Sequence, residues 1–288
     1  MLANLLADIR YSLRGFVKRP AFALIVVLTL AVGIGVNVAM YAIFHGMVLR
    51  PIPDAHDPQT LVNLAAPGPG LKQGSTSCTL AGDCEDVFSY PMFRDLERVQ
   101  EPFTAIAAHF MVETNLAFHG ETKPGTGVLV SGSYFGVLGI QPALGRLLGP
   151  QDDAVDGHAD SVVLSYRYWQ NGLGADPSVI GQALVVNGKP LTVVGVASPG
   201  FQGTSRPAVP DVFMPITFRW RDAPGGAPSF DDRRNYWVYL FARLKPGVSL
   251  EQAEAAINQP YRAILHEVEA PLQIGMTCLL YTSPSPRD

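Results

Sequence analysis

Residues Ala21 to Phe44, AFALIVVLTLAVGIGVNVAMYAIF, form a run of 24 without a single charged side chain, bounded by Arg19 and Arg50. A bilayer core of about 30 Å takes roughly 20 apolar residues as a helix, so this run is long enough to span. A secretion signal would have a shorter apolar stretch, of roughly 7 to 15 residues, followed by a small-x-small cleavage site. Gly33-Ile34-Gly35 fits such a site by size, but apolar character resumes at once in VNVAMYAIFHGMVL, which favours a retained span.

The flanks predict its orientation. Arg10, Arg14, Lys18 and Arg19 precede the run, whereas Arg50 is soon followed by Asp54 and Asp57. The positive-inside rule therefore places the N-terminus in the cytoplasm and the chain after about Leu49 outside it. Residues 1–20 read as an interfacial amphipathic helix. Leu2, Leu5, Leu6, Ile9, Leu13, Phe16 and Val17 share one face, Arg10, Arg14 and Lys18 line the other, and Pro20 breaks it from the span. The span itself is assigned to 21–48. Within it Ala31, Gly35 and Ala39 recur every four residues, a small-residue stripe along which another helix can approach, and Asn37 adds an amide able to hydrogen-bond across.

Of the chain's 21 bases and 25 acids, five bases and one acid lie in residues 1–50, leaving 16 bases and 24 acids in 51–288. A net charge of −8 on that part argues against a nucleic-acid surface. The whole chain has 28 Gly and 24 Pro, most of them in this part, which should be rich in turns and short strands. Strands are predicted at Thr60–Ala66, Ile106–Phe118 and Gly127–Val130, and short helices at SYPMFRDLERVQ (capped by Ser89), SYFGVLG and SYRYWQNGLG (capped by Ser165). Asn187-Gly188 should turn a hairpin in ALVVNGKPLTVVGV. Tyr236–Leu244, apolar on both faces, should be a strand covered on both sides, and Ser249 with Gln252 should form a capping box opening a helix. The class is α+β: an amphipathic helix, one transmembrane helix, then a mixed extracytoplasmic domain, expected as two subdomains.

Chemistry is hard to find. There is no phosphate-binding G-x-x-x-x-G-K-[ST], no G-x-S-x-G, no H-E-x-x-H and no C-x-x-C, and the six histidines are scattered singly. DDAVDGHAD (152–160) fails as a calcium loop, because Ala154 takes a ligand position and Val163 stands where a bidentate Glu belongs; a solvated acidic loop is expected. Tyr166, Tyr168 and Trp169 are expected to pack one face of their helix. Cys78 and Cys84 close a tight loop in SCTLAGDC; a local disulfide, favoured by an extracytoplasmic location, and two free thiols both fit.

Six blocks, in order, resemble one family, the MacB-type (FtsX-like) ABC transporter permeases with their periplasmic core domain. They are AVGIGVNVAMYAIFHGMVLRPIP, FSYPMFRDLERVQEPFTAIAA, VSGSYFGVLGIQPALGRLLGPQDD, VVLSYRYWQNGLGADPSVIGQALVVNGKPLTVVGVASPGF, DVFMPI and ARLKPGVSLEQAEAAI. In style they are especially similar to the duplicated orphan permeases of acidobacteria. The resemblance implies a core domain over 49–270. It also implies a non-enzymatic permease subunit in a bacterial inner membrane, its main domain periplasmic, coupled to a separate ABC ATPase that binds the ATP. Catalytic, cofactor and metal sites are expected to be absent from this chain, and the partners to be that ATPase, other permease helices or a second permease copy, and the lipid bilayer. The family pattern continues with three more spans, whereas here the composition changes abruptly in CLLYTSPSPRD. Residues 271–288 are therefore expected to be a non-native or disordered tail on an N-terminal fragment. The alternative is a single-pass anchored binding domain without transport; an anchored hydrolase lacks any nucleophile motif.

Overall fold

The computed structural model describes residues 20–44, 54–65, 87–99, 101–153, 160–204, 209–219, 230–233 and 235–273. The expected amphipathic helix before Pro20, the Cys78–Cys84 loop, Cys278 and the tail from residue 274 lie outside them. The chain divides into two units, 1–51 and 52–288.

In the first unit, α1 (Pro20–Phe44) is one uninterrupted helix. Pro20 is its first residue, where the missing N–H has no intrahelical partner to lose. At 1.5 Å per residue its length is about 37 Å, enough to cross a hydrocarbon core. Large apolar side chains such as Phe22, Leu24, Ile25, Val32 and Met40 are exposed all round it, which suits lipid and not water.

The second unit is built on one ten-stranded sheet. Its strands are β1 (Leu61–Leu64), β2 (Val87–Ser89), β3 (Phe103–Phe118), β4 (Glu121–Val130), β5 (Pro142–Gly145), β6 (Ser161–Leu164), β7 (Ala183–Val186), β8 (Lys189–Ala197), β9 (Val212–Pro215) and β10 (Tyr236–Leu244). The main path runs β1-β10-β3-β4-β9-β6-β8-β5, with β2 also on β10 and β7 bridging β3 and β8. Among the described residues four helices pack on it: α2 (Tyr90–Leu96), α3 (Tyr134–Leu138), α4 (Tyr166–Gly172) and α5 (Leu250–Ile264).

Side chains alternate across the strands, so the core forms on both faces. Ile106, Leu129, Val162, Met214 and Leu240 join α2, α4 and α5 in one cluster; Ala107, Val128, Val163, Phe213 and Phe241 join α3 in the other. The division expected as two subdomains thus takes the form of two cores on opposite faces of one continuous sheet. β10 is covered on both, as its unbroken apolar run predicts: Trp237, Val238, Leu240, Phe241 and Ala242 are all buried.

The caps follow the sequence closely. Ser89 Oγ accepts from Met92 N at 3.3 Å and Ser165 Oγ from Tyr168 N at 3.2 Å. Ser249 and Gln252 bond reciprocally at 3.2 and 3.0 Å. The Asn187-Gly188 hairpin forms with φ of 48° and 79°, and Asn187 Oδ1 accepts from Asn115 N at 2.8 Å, docking the turn on β3. A second hairpin is longer than expected, since β4 starts at Glu121 and pairs with β3 from Phe118↔Glu121 to His109↔Val130. Pro124, Gly125 and Gly127 disguise the first half of β4, but the positive φ values of His119 and Gly120 make the turn that joins it to β3. β2, β5, β6 and β9 are not among the predicted strands: each is three or four residues long, too few to display a period, and none is marked by an adjoining Asn-Gly turn as β7 is.

Candidate functional site

The predicted site residues in α1 stand as follows. Asn37 Nδ2 donates to the Gly33 carbonyl at 2.9 Å, and Thr29 Oγ1 donates to Ile25 O at 2.8 Å, so each of these polar side chains satisfies a donor within its own helix. Asn37 Oδ1 is left as the group to offer a neighbour. Around Gly35 nothing beyond its chain neighbours and the helix's own backbone lies within 4 Å of where a Cβ would stand, so a side chain there would meet open space.

In the sheet unit the functional geometry gathers where the chain is tied to the two ends of β10. At the Leu244 end, Arg243 reaches the leading segment, residues 54–60. Its Nε donates to Val137 O at 2.7 Å, Nη1 to Thr60 Oγ1 at 2.6 Å and Asp57 O at 3.1 Å, and Nη2 to His56 O at 2.6 Å. His56 N in turn donates to Leu138 O at 2.9 Å. One planar guanidinium thus joins β10, α3 and the leading segment through its fixed fork of donors. Burial draws the group below its ordinary pKa, offset by the Asp57 charge, and it stays a cation.

At the Tyr236 end the trailing segment, residues 265–273, is held by charge. After α5 the helix widens into a π turn, Leu265–Glu269, and this places Glu269 inward, 3 % exposed. Tyr236 Oη donates to Glu269 Oε2 at 3.0 Å. Nearby, Arg233 Nη2 lies 2.7 Å from Asp95 Oδ2, and Arg98 stands 3.9 Å from Asp95 Oδ1. Burial pushes the Glu269 carboxyl above its usual range, partly offset by the Tyr236 bond and the Arg233 charge. Burial, then the Glu269 charge, raise Tyr261 to about 12. Glu269 Oε1 and Arg233 Nη1 have no hydrogen-bond partner among the described residues, and Asp95 Oδ2 meets Arg233 off the hydrogen-bonding direction.

The acidic loop corrects the sequence reading. Of its described residues, Asp152 and Asp153 are 7 % and 8 % exposed, not solvated, whereas Asp160 is exposed as expected. Asp152 accepts a bidentate pair from Arg146 at 2.7 and 2.8 Å and a bond from Gly149 N at 2.9 Å. Burial pushes Asp152 up, but these bonds outweigh it and hold the carboxyl below its usual range. Asp153 has one bond, from Gly132 N at 3.1 Å, and Arg94 only at 4.0 Å; burial lifts it to about 7. The signal missed was local: Arg146 six residues before Asp152, with Gly149-Pro150 between, spells a closed ion-paired turn. Residues 154–159 lie outside the described ones, and no group of three or more His, Cys, Asp or Glu among the described residues is placed to hold a metal.

Tyr166, Tyr168 and Trp169 pack against the first core cluster, and Trp169 Nε1 donates to Asp176 O at 2.9 Å. His109 is a buried core histidine stacked on Tyr239, drawn down to about 4 by burial. A polar depression of about 730 Å³ beside the β3–β4 hairpin includes Thr114, Thr126 and Asp211 in its lining. Their polar groups are already engaged: Thr114 Oγ1 with Gly125 O, and Asp211 with Thr126 N and Arg167.

A membrane-length helix joined in sequence to a sheet domain with a core on each face defines a class: a mixed α/β domain behind one candidate membrane-spanning helix. The family model of the MacB-like periplasmic core domain matches residues 23–259, and the chain belongs to that family. The match begins inside α1. Among solved structures, the periplasmic region of MacB from Actinobacillus actinomycetemcomitans is similar with a TM-score of 0.51 at 16 % identity, covering 71 % of this chain and 83 % of that one. The extracellular domain of the noncanonic ABC-type transporter YknZ from Gram-positive bacteria gives 0.46 at 15 % identity, covering 68 % and 88 %. No curated protein sequence matches the chain.

Proposed function

We propose that this chain is the permease side of an ATP-driven transporter or mechanotransmission complex, with its N-terminus cytoplasmic and its sheet domain outside the membrane. In this reading it performs no covalent chemistry and binds no cofactor. ATP is held and hydrolysed by a separate ABC subunit, and the motion reaches the sheet through α1 and the leading segment that Arg243 secures. The observation that carries the proposal is that one family match runs from Ala23, inside α1, through the sheet domain to Gln259, so that helix and domain form one inherited unit. The Ala31, Gly35 and Ala39 face with Asn37 is then the side on which further permease helices, or a second permease copy, pack.

The test is copurification. The gene product, extracted in mild detergent from its native host, should bring with it a polypeptide with a P-loop ATPase motif, and a Gly35→Leu variant should lose it or the companion permease helices. A chain that purifies alone at monomer mass, with and without that substitution, would support a single-pass anchored binding domain instead. Protease added to intact spheroplasts should cleave the sheet domain and spare the N-terminus; the reverse pattern would invert the orientation.

A further inference from the structure

Arg233 has more donors than its pairing with Asp95 uses. It pairs with Asp95 Oδ2 at 2.7 Å, yet its Nη1 is buried and unbonded among the described residues. Across the same buried cluster Glu269 uses one carboxylate oxygen on Tyr236 and leaves the other, also buried, unbonded. Arg233's charge acts on Glu269, so the two groups are within electrostatic reach without being paired. Buried polar groups in native proteins are paired with few exceptions, and leaving an ionised one unpaired is costly. Here an unbonded donor and an unbonded acceptor of opposite charge lie in one cluster, on two different elements. Such an arrangement is completed by a short movement of one element.

We infer that Arg233 is an exchangeable clasp: it pairs with Asp95 of α2 in the conformation described, and with Glu269 in a second conformation in which the trailing segment is drawn against β10. Three further features support the exchange. Asp95 keeps a second cation when Arg233 leaves, since Arg98 is 3.9 Å from its other oxygen. Glu269 sits on a π turn, a one-residue irregularity common at functional sites, and shifting the helical register there rotates Glu269 with little cost to the rest of α5. Tyr236 on β10 holds Glu269 at the edge of the cluster in the meantime. The charged or titratable groups facing it are Asp95 from α2, Tyr236 from β10, Arg233 from the residues before β10, and Tyr261 from α5. A clasp with two settings suits an element that passes movement; that use rests on the function proposed above, whereas the exchange itself does not.

The experiment is hydrogen–deuterium exchange on the full chain in detergent micelles, without any ATPase, so its result is independent of whether the transport reading holds. In Asp95→Asn, Arg233 should transfer to Glu269 and slow exchange across residues 265–273 at least threefold. In Glu269→Gln, which keeps an oxygen for Tyr236, exchange there should quicken at least threefold while α2 is unchanged. Faster exchange in 265–273 for Asp95→Asn, or no change for Glu269→Gln, would show Arg233 to be a fixed partner of Asp95 and overturn the clasp. Protection of β3 amides reports folding. If Asp95→Asn fails that check, Glu269→Gln decides alone, with quickened exchange supporting the clasp and unchanged exchange refuting it.

Discussion

At the Leu244 end of β10 the leading segment is fixed by one arginine whose donors all go to neutral oxygens, while at the Tyr236 end the trailing segment is held by buried charges that leave atoms unbonded. The difference is one of alternatives. A guanidinium bonded to three main-chain carbonyls and a hydroxyl has a single geometry, and any displacement breaks several bonds together. A cluster with two carboxylates and surplus donors has more than one arrangement of comparable energy, because desolvated ions are stable only while paired. The same strand therefore has a rigid connection at one end and an adjustable one at the other.

The largest effect should come from breaking the rigid end. Arg243→Ala should lower stability in urea unfolding by about 3 kcal/mol, since hydrogen bonds from charged donors are worth roughly 1.5–3 kcal/mol and those lost here share partners. Arg243→Lys should recover only part of it, lacking the fork. A loss within about 0.5 kcal/mol would remove the contrast between the two ends.

A buried acid away from either end supplies the reference. Asp153 is raised by burial to about 7, so between about pH 4 and pH 7 the folded state holds a proton that the unfolded state has released. Stability should thus increase as pH falls from 7 to 4 and decrease as pH rises. Asp153→Asn should flatten that slope and stabilise the domain at pH 8 by on the order of 2 kcal/mol. A mutant that keeps the wild-type slope would assign it to Glu269, which is raised in the same direction. A smaller effect is expected at the adjustable end: Tyr236→Phe removes one bond to Glu269 and should cost about 1 kcal/mol, with Glu269 finding Arg233 instead. The smallest is Ser249→Ala at the start of α5, about 1 kcal/mol or less, seen as a lowered urea midpoint without a change in slope.

Local signals carried most of the architecture. Ser89, Ser165, Ser249 and Asn187-Gly188 announce caps and a turn because each acts on its own backbone within four residues. The membrane helix was legible for the same reason, since length and composition are local. The two ends of β10 were not. Arg243 bonds to residues more than a hundred positions away, and Arg233 meets Asp95 only because β10 and α2 share a face of the sheet, so no spacing rule connects them. For Asp153 charge predicts exposure on average, and the closed Arg146–Asp152 turn beside it overrides that average.

The contrast between the ends is tested most directly by native-state hydrogen exchange on the unmodified chain across low urea concentrations. The account predicts that amides in residues 265–273 open locally, at least tenfold faster than those of His56 and Thr60 and independently of urea, while the latter exchange only with unfolding of the sheet. Equal rates with a common urea dependence at both ends would contradict it.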